Sequence, residues 1–390
     1  MTSIRLEDAF ILQMGKTPAR ERPEYWNGNH KWVSIADLGK AGKFISETKE
    51  GLTDAGVSES GIKPVPKGTL MMSFKLSIGK VSIAAEELFT NEAIMAFIDR
   101  GRYEMDTGYL YHLFRGKNWN EGTNKAVLGL TLNKATLSKK SIPLPPLATQ
   151  RAIAVRFDKV CDLIAKRQTQ LDRLDTLAKS LFVEMFGDPA DNPKGWTSSK
   201  LGNCLESIDS GTSFVCRDYA RNGFAPAILK LGAVTYGVFR PEENKELVSE
   251  SDFIAKDEVH DGDLLFTRKN TPELVGMAAL VRETPPRLMM PDLVFRLNPK
   301  SVCRKEYLWR LINFTSFRPF IQRLASGSAK SMSNISKQRL GSLEIPLPPI
   351  LLQKSFAEHL ERIDKSKFAI RKSLDELNRL YRSLLQQYFG

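Results

Sequence analysis

Two stretches of this chain carry the same alternation of apolar and polar positions. Ile153, Phe157, Val160, Ile164, Leu171, Leu174, Ala178, Leu181 and Met185 fall at spacings of fours and threes. So do Phe356, Leu360, Ile363, Ile370, Leu374, Leu377, Tyr381, Leu384 and Tyr388. Such a heptad predicts a helix with one apolar seam, of the kind that pairs with another helix. Each seam is interrupted once, by Arg167 and by Lys367, either to fix the register or to reach water along a long side chain. The pattern predicts a helix of roughly 38 residues, about 57 Å at 1.5 Å per residue.

Each seam follows the phrase IPLPP, at 142–146 and again at 345–349, 203 residues apart. Residues 142–187 laid over 345–390 without a gap give 15 identities in 46 positions, among them Gln150/Gln353 and the final Phe-Gly. The prolines exclude helix and predict a stiff, extended polyproline-type elbow that launches each helix at a fixed angle. PxxP also suits an SH3 ligand, but the repetition at one junction favours the elbow.

Upstream of each elbow the pattern is mixed. GTLMMSF (68–74) and GDLLFTR (262–268) read as short buried strands. YLYHLFRG (109–116) and EYLWRLINF (306–314) read as helices, and NGNH (27–30) and RNGF (221–224) as turns. KGTLMMSFK (67–75) also aligns with DGDLLFTRK (261–269). The chain is therefore a tandem repeat of head and tail. The fold class is α+β: two pseudo-symmetric heads, each followed by one long coiled-coil helix. Head one is expected at 1–141, the central elbow and helix at 142–187, head two at 188–344, and the second elbow and helix at 345–390.

Charge gives these heads a partner class. The chain has 390 residues and a net charge of +12, which favours polyanions. Both elbows follow basic stretches: residues 100–140 hold eight Lys or Arg against three acids, and residues 304–339 hold eight against Glu306 alone. Four cysteines and four histidines lie too far apart in sequence to suggest a zinc site or a disulfide framework. The first residues hold too few consecutive apolar positions for a signal peptide, and no run is long enough to span a bilayer; a cytoplasmic location is expected.

Three stretches come near catalytic motifs and each falls short. DNPK (191–194) lacks the second proline and the aromatic of an adenine methyltransferase clamp. GKT (15–17) ends like a P-loop, but Phe10 stands where the first glycine belongs. The Pro291-Asp292 pair has no following acid-x-Lys of a nuclease. Catalytic, cofactor and metal residues are therefore expected to be none.

On the repeated elbows and helices, on SFKLSIGKV (73–81) and NEAIMAF (91–97), and on DGDLLFTR and GSAKSMSNISKQRLGSLEIPLPP (327–349), the whole chain resembles the specificity (S) subunit of type I restriction-modification systems. The second tail departs from the usual pattern, reading ILLQKSF (350–356) where the first reads LATQRAI (147–153). The resemblance implies a non-catalytic DNA-binding subunit used in host defence. Each head, a target recognition domain, would read one half of a bipartite asymmetric site in double-stranded DNA. The two long helices would pair antiparallel between the heads, set the spacer and dock two methyltransferase (M) subunits, which restriction (R) subunits join. S-adenosylmethionine, ATP and Mg would serve those partners, with no cofactor, membrane or small-molecule substrate for this chain.

Placement in basic segments and post-strand loops nominates the DNA contacts. They are Lys75, Thr123, Asn124 and Lys125 in head one, and Arg268, Lys269, Ser328, Lys330, Ser331 and Asn334 in head two. Trp26, Trp32, Trp119 and Trp309 are expected as core or loop anchors rather than base-stacking platforms. A stand-alone DNA-binding regulator and a two-headed protein scaffold are the other classes considered; a regulator would be expected to show a helix-turn-helix or zinc module, which the sequence lacks.

Overall fold

The computed structural model describes residues 2–75, 77–119, 132–326 and 332–390. Among these, no helix is long and apolar enough to cross a membrane. The chain forms two compact units, residues 1–169 with 371–390 and residues 170–370. The helix predicted from each heptad is present and slightly longer than expected, 40 residues in each copy: Leu147–Phe186 and Ile350–Phe389.

The first unit is built on a five-stranded sheet ordered Phe10–Met14, Ile94–Asp99, Leu70–Ser73, Val81–Ala84, Phe44–Ile45. Its neighbours are antiparallel except the last pair, which is parallel. Leu70–Ser73 and Val81–Ala84 are buried at every position, which is why they read as continuous apolar runs. A three-stranded sheet, Glu50–Leu52, Trp26–Val33, Phe89–Thr90, completes the head. NGNH, expected as a turn, lies inside Trp26–Val33. There the pairing register shifts between Trp26 and His30 and Asn27 takes φ 63°, so the turn signal marks a bulge.

The second unit repeats the frame. Its four-stranded sheet runs Leu205–Ser210, Val294–Pro299, Leu264–Thr267, Ala278–Leu280, beside a three-stranded sheet of Asn244–Glu246, Ala227–Leu229 and Leu288–Met289.

The elbows are not free polyproline. Ser141–Leu144 forms an antiparallel ladder with Thr2–Arg5, and Glu344–Pro346 one with Ser198–Lys200. A two-stranded ribbon has edges on both sides, so a proline can sit in it with its missing N–H turned outward. Pro145-Pro146 and Pro348-Pro349 then end the ribbon and begin the helix. The paired glutamines close each elbow. Gln150 Nε2 donates to the Pro145 and Glu104 carbonyls (2.8 and 3.0 Å) while Oε1 accepts from Asp106 N (2.8 Å). Gln353 does the same with Pro348, Val302 and Arg304 N (2.8, 3.3 and 2.8 Å). A tyrosine from the head caps each elbow: Tyr109 Oη donates to Pro143 O and Tyr307 Oη to Pro346 O (2.9 and 2.5 Å).

In each unit the two long helices meet antiparallel. In the first, Phe157 near the start of one helix packs against Tyr381 and Phe389 near the end of the other (5.6 and 5.4 Å between ring centres). In the second, Phe182 and Phe186 meet Phe356 (5.6 and 5.2 Å). None of the eighteen seam residues is exposed. Lys367 is buried at 8% exposure and bonded to Asp175 of the first helix, whose side chain is 56% exposed, so this interruption is a buried ammonium held by a carboxylate at the edge of the seam.

Candidate nucleic-acid interface

In head two, the buried strand Leu264–Thr267 delivers the chain to Arg268, and Lys269–Asn270 then pairs with Ser333–Asn334, Lys269 opposite Asn334. Three nominated residues from distant parts of the sequence thus come together: Arg268, Lys269 and Asn334. Arg268 Nε donates to Asn334 Oδ1 (3.3 Å), and its guanidinium lies 5.1 Å from the Phe295 ring centre. Lys337 approaches the same ring at 5.8 Å.

Lys269 Nζ donates to Asp292 Oδ2 (3.1 Å), and Asp292 Oδ1 accepts from Ser213 Oγ (2.5 Å). Burial would raise the Asp292 carboxyl, but hydrogen bonds from Ser213 and Lys269 and the nearby Arg268 charge outweigh it and hold the group below its ordinary value. The site therefore keeps a fixed anion among its cations. That anion orients Lys269 and Ser213, which can turn outward to a phosphate or a base edge when DNA approaches.

Head one has the same clip in different residues. Thr17 Oγ1 donates to the Glu92 carboxylate and accepts from Asn91 Nδ2 (3.1 Å). Both clips depend on a glycine two residues earlier. A Cβ on Gly15 would lie 2.1 Å from the Thr90 carbonyl oxygen, and one on Gly211 2.0 Å from that of Met290. The chains pass too closely for any side chain. Lys75 follows its strand as Lys269 does. The carbonyl of Ala93 fixes Phe74 N (3.0 Å), that of Leu293 fixes Arg268 N (3.0 Å), and the Lys75 ammonium lies 5.3 Å from the Phe74 ring centre. Beside the head-one clip, Arg20 lies 3.7 Å from the Trp26 ring centre and holds Glu50 through two hydrogen bonds (2.6 and 3.0 Å).

Thr17, Glu92, Ser213, Asp292, Arg20 and Lys337 were not nominated from sequence. The signals existed, because GKT and Pro291-Asp292 are the two motifs rejected as P-loop and nuclease. They are the halves of the two clips. Thr123, Asn124, Lys125, Ser328, Lys330 and Ser331 lie outside the described residues.

The tryptophans are anchors. Trp26, Trp32, Trp119 and Trp309 each donate an indole N–H to a backbone carbonyl: Ala19, Lys16, Phe114 and Gly237 (3.2, 3.0, 2.7 and 2.8 Å). Among the described residues no group of three or more His, Cys, Asp or Glu is arranged to hold a metal.

A duplicated frame of head, elbow and long helix has a counterpart among known proteins. The family model described as the type I restriction modification DNA specificity domain matches residues 1–175 and 193–379. The chain belongs to this family. The MjaIX specificity subunit of Methanocaldococcus jannaschii is 30% identical over 244 residues, a match spanning 57% of this chain and 56% of that relative. The MjaVIII specificity subunit of the same organism is 24% identical over 410 positions, covering 98% and 90%. Among solved structures, the type I S subunit of M. genitalium superposes with a TM-score of 0.59 at 14% identity, covering all of this chain and 96% of that one. A chain from a study of assembly and conformational transition in a type I restriction-modification system gives 0.58 at 17%, covering 100% and 97%. At these identities the likeness to the solved structures is one of fold.

Proposed function

We propose that this chain is the non-catalytic DNA-specificity component of a type I restriction-modification complex, acting in the cytoplasm. Each head reads one half of a bipartite asymmetric site. The paired helices set the spacer and seat two methyltransferase subunits, and restriction subunits join that assembly. S-adenosylmethionine, ATP and Mg act on those partners. The supporting observation is the pair of clips: one backbone device, built twice, holds Thr17–Glu92 in one head, where the strand leading to Lys75 is tied to Ala93, and Ser213–Asp292 with Lys269, Arg268 and Asn334 in the other. Equal frames with unequal surfaces suit unequal half-sites on either side of a dyad.

The test is to express the chain with its methyltransferase subunits in a host without them and to map methyladenine over the genome. A two-part, non-palindromic motif with a constant gap is expected. A contiguous or palindromic motif, or methylation that persists without this chain, would overturn the reading.

A further inference from the structure

Residues 142–187 correspond to 345–390 without a gap at an offset of 203, so each position on one long helix has a counterpart on the other that can be named. The counterpart of Asp175 is Asn378, and that of Lys367 is Ile164. The seam is thus asymmetric at one level. In the second unit, Asp175 from the first half of the chain is bonded to Lys367 from the second half, an ammonium group buried by the helices.

A second cation from the same half faces that carboxylate. Burial pulls the Arg310 guanidinium below its ordinary value, and Asp175 and Asp364 oppose the shift, Asp364 itself being held by Arg282 (2.7 Å). Arg282, Arg310, Asp364 and Lys367 all belong to the second half. Asp175 alone comes from the first. The counterpart of Arg310, in the aligned YLYHL and YLWRL segments, is His112, and that of Asp364 is Cys161.

A pairing of two first halves would set each Asp175 against Ile164, with no lysine opposite. A pairing of two second halves would set Lys367 against Asn378 and leave two buried cations without the carboxylate of the first helix. The Lys367 ammonium, buried in the seam, is costly without its partner, whereas Asp175, 56% exposed, loses only the bond. The first unit adds a weaker preference of the same sign. Arg156 donates to Tyr388 Oη (2.5 Å) and Arg115 lies 5.7 Å from the Tyr381 ring centre, whereas the counterparts of those tyrosines are Met185 and Ala178.

We propose that each half of this chain is built to accept the other half and to refuse a copy of itself, with Asp175 as the residue that identifies the correct partner. The apolar seam is nearly the same in both halves and would tolerate like pairing. The asymmetric charge forbids it, as a single polar seam residue sets partner choice in coiled coils.

The test begins with the intact chain. Asp175→Lys and Lys367→Asp should each lower the melting temperature, and the double variant should recover most of the loss; strictly additive losses would overturn the pairing. For partner choice, a protease site placed between residues 189 and 193 lets the folded chain be nicked. Two nicked preparations, one tagged on each half, are unfolded in urea, refolded together, and weighed by native mass spectrometry. Unlike pairs should exceed like pairs at least about tenfold. In Asp175→Asn with Lys367→Ile, which gives each half its counterpart's residue, like pairs should rise to roughly half, as random pairing gives. Random pairing in the original sequence, or unlike pairing unchanged in that variant, would overturn the proposal.

Discussion

Asp158 accepts hydrogen bonds from His112 Nε2 (2.7 Å) and Lys43 Nζ (2.6 Å), and this trio decides how head one responds to acid. The His112 side chain has no solvent exposure and stacks on Phe157, 4.9 Å between ring centres. Burial pulls the imidazole below its ordinary value and Lys43 and Arg115 add to that, while Asp158 pulls the other way and loses. A histidine lowered in the folded state takes up its proton in the unfolded chain first, so stability is full above about pH 6.5 and falls as the pH drops below it. Melting temperature should therefore decline between pH 7 and pH 5, and His112→Gln should flatten that slope; an unchanged slope would remove His112 as its source. At the proposed DNA-contact cluster, Lys269→Ala should reduce the salt dependence of DNA binding by the assembled methyltransferase by about one unit. If Lys269 serves only to hold Asp292, melting will shift and the salt slope will not. The sequence could nominate Lys269 because cations near strand ends suit phosphate. It could not show Asp292 beside it, because the two are joined through a fold contact between neighbouring strands.

Among the elements, the elbow was the most legible feature and also the one whose form differed from expectation. Proline chemistry excluded helix, but only the fold supplies the opposite strand, so a paired ribbon replaced the free polyproline segment. Gln150 and Gln353 stood out by repetition alone, and their task is visible only once Asp106 N and Arg304 N point at them. Gln353→Glu preserves the shape of a residue with no solvent exposure but removes the donors to Pro348 O and Val302 O. Each buried group left unpaired costs about 1–3 kcal/mol, so urea unfolding should shift by at least that much. A neutral result would mean that water or backbone movement repairs the elbow. Gly211→Ala probes the clip in the same way. Its Cβ would meet the Met290 carbonyl at 2.0 Å, and the strain of forcing the strands apart should cost about 1–3 kcal/mol and weaken DNA binding with it.

For the whole molecule, the heptad made two long helices legible because its period is set by the backbone. The fine geometry of each head was not, since a short buried strand and a turn inside a bulge look alike in sequence. The helices also make the ruler reading quantitative. Seven residues inserted after Thr169 and seven after Lys372 keep both seams in phase and lengthen each helix by about 10.5 Å. DNA rises about 3.4 Å per base pair, so the gap in the methylated motif should grow by about three base pairs with both half-sites unchanged. A fixed gap in a folded, active variant would show that something other than helix length sets the spacing.

The ribbons that open and close each head, Thr2–Arg5 with Ser141–Leu144 and Ser198–Lys200 with Glu344–Pro346, have one more consequence. Strands paired this way lie about 5 Å apart, so the entrance and exit of each head are side by side. A head is then a removable cartridge: two cuts at neighbouring points release it, and another head whose ends form the same ribbon, and which carries the same contacts to the elbow and helix as Tyr109 and His112 do here, can take its place. On the proposed function, genes for such chains would change one half of the site while keeping the other, by exchanging a single uninterrupted stretch of coding sequence.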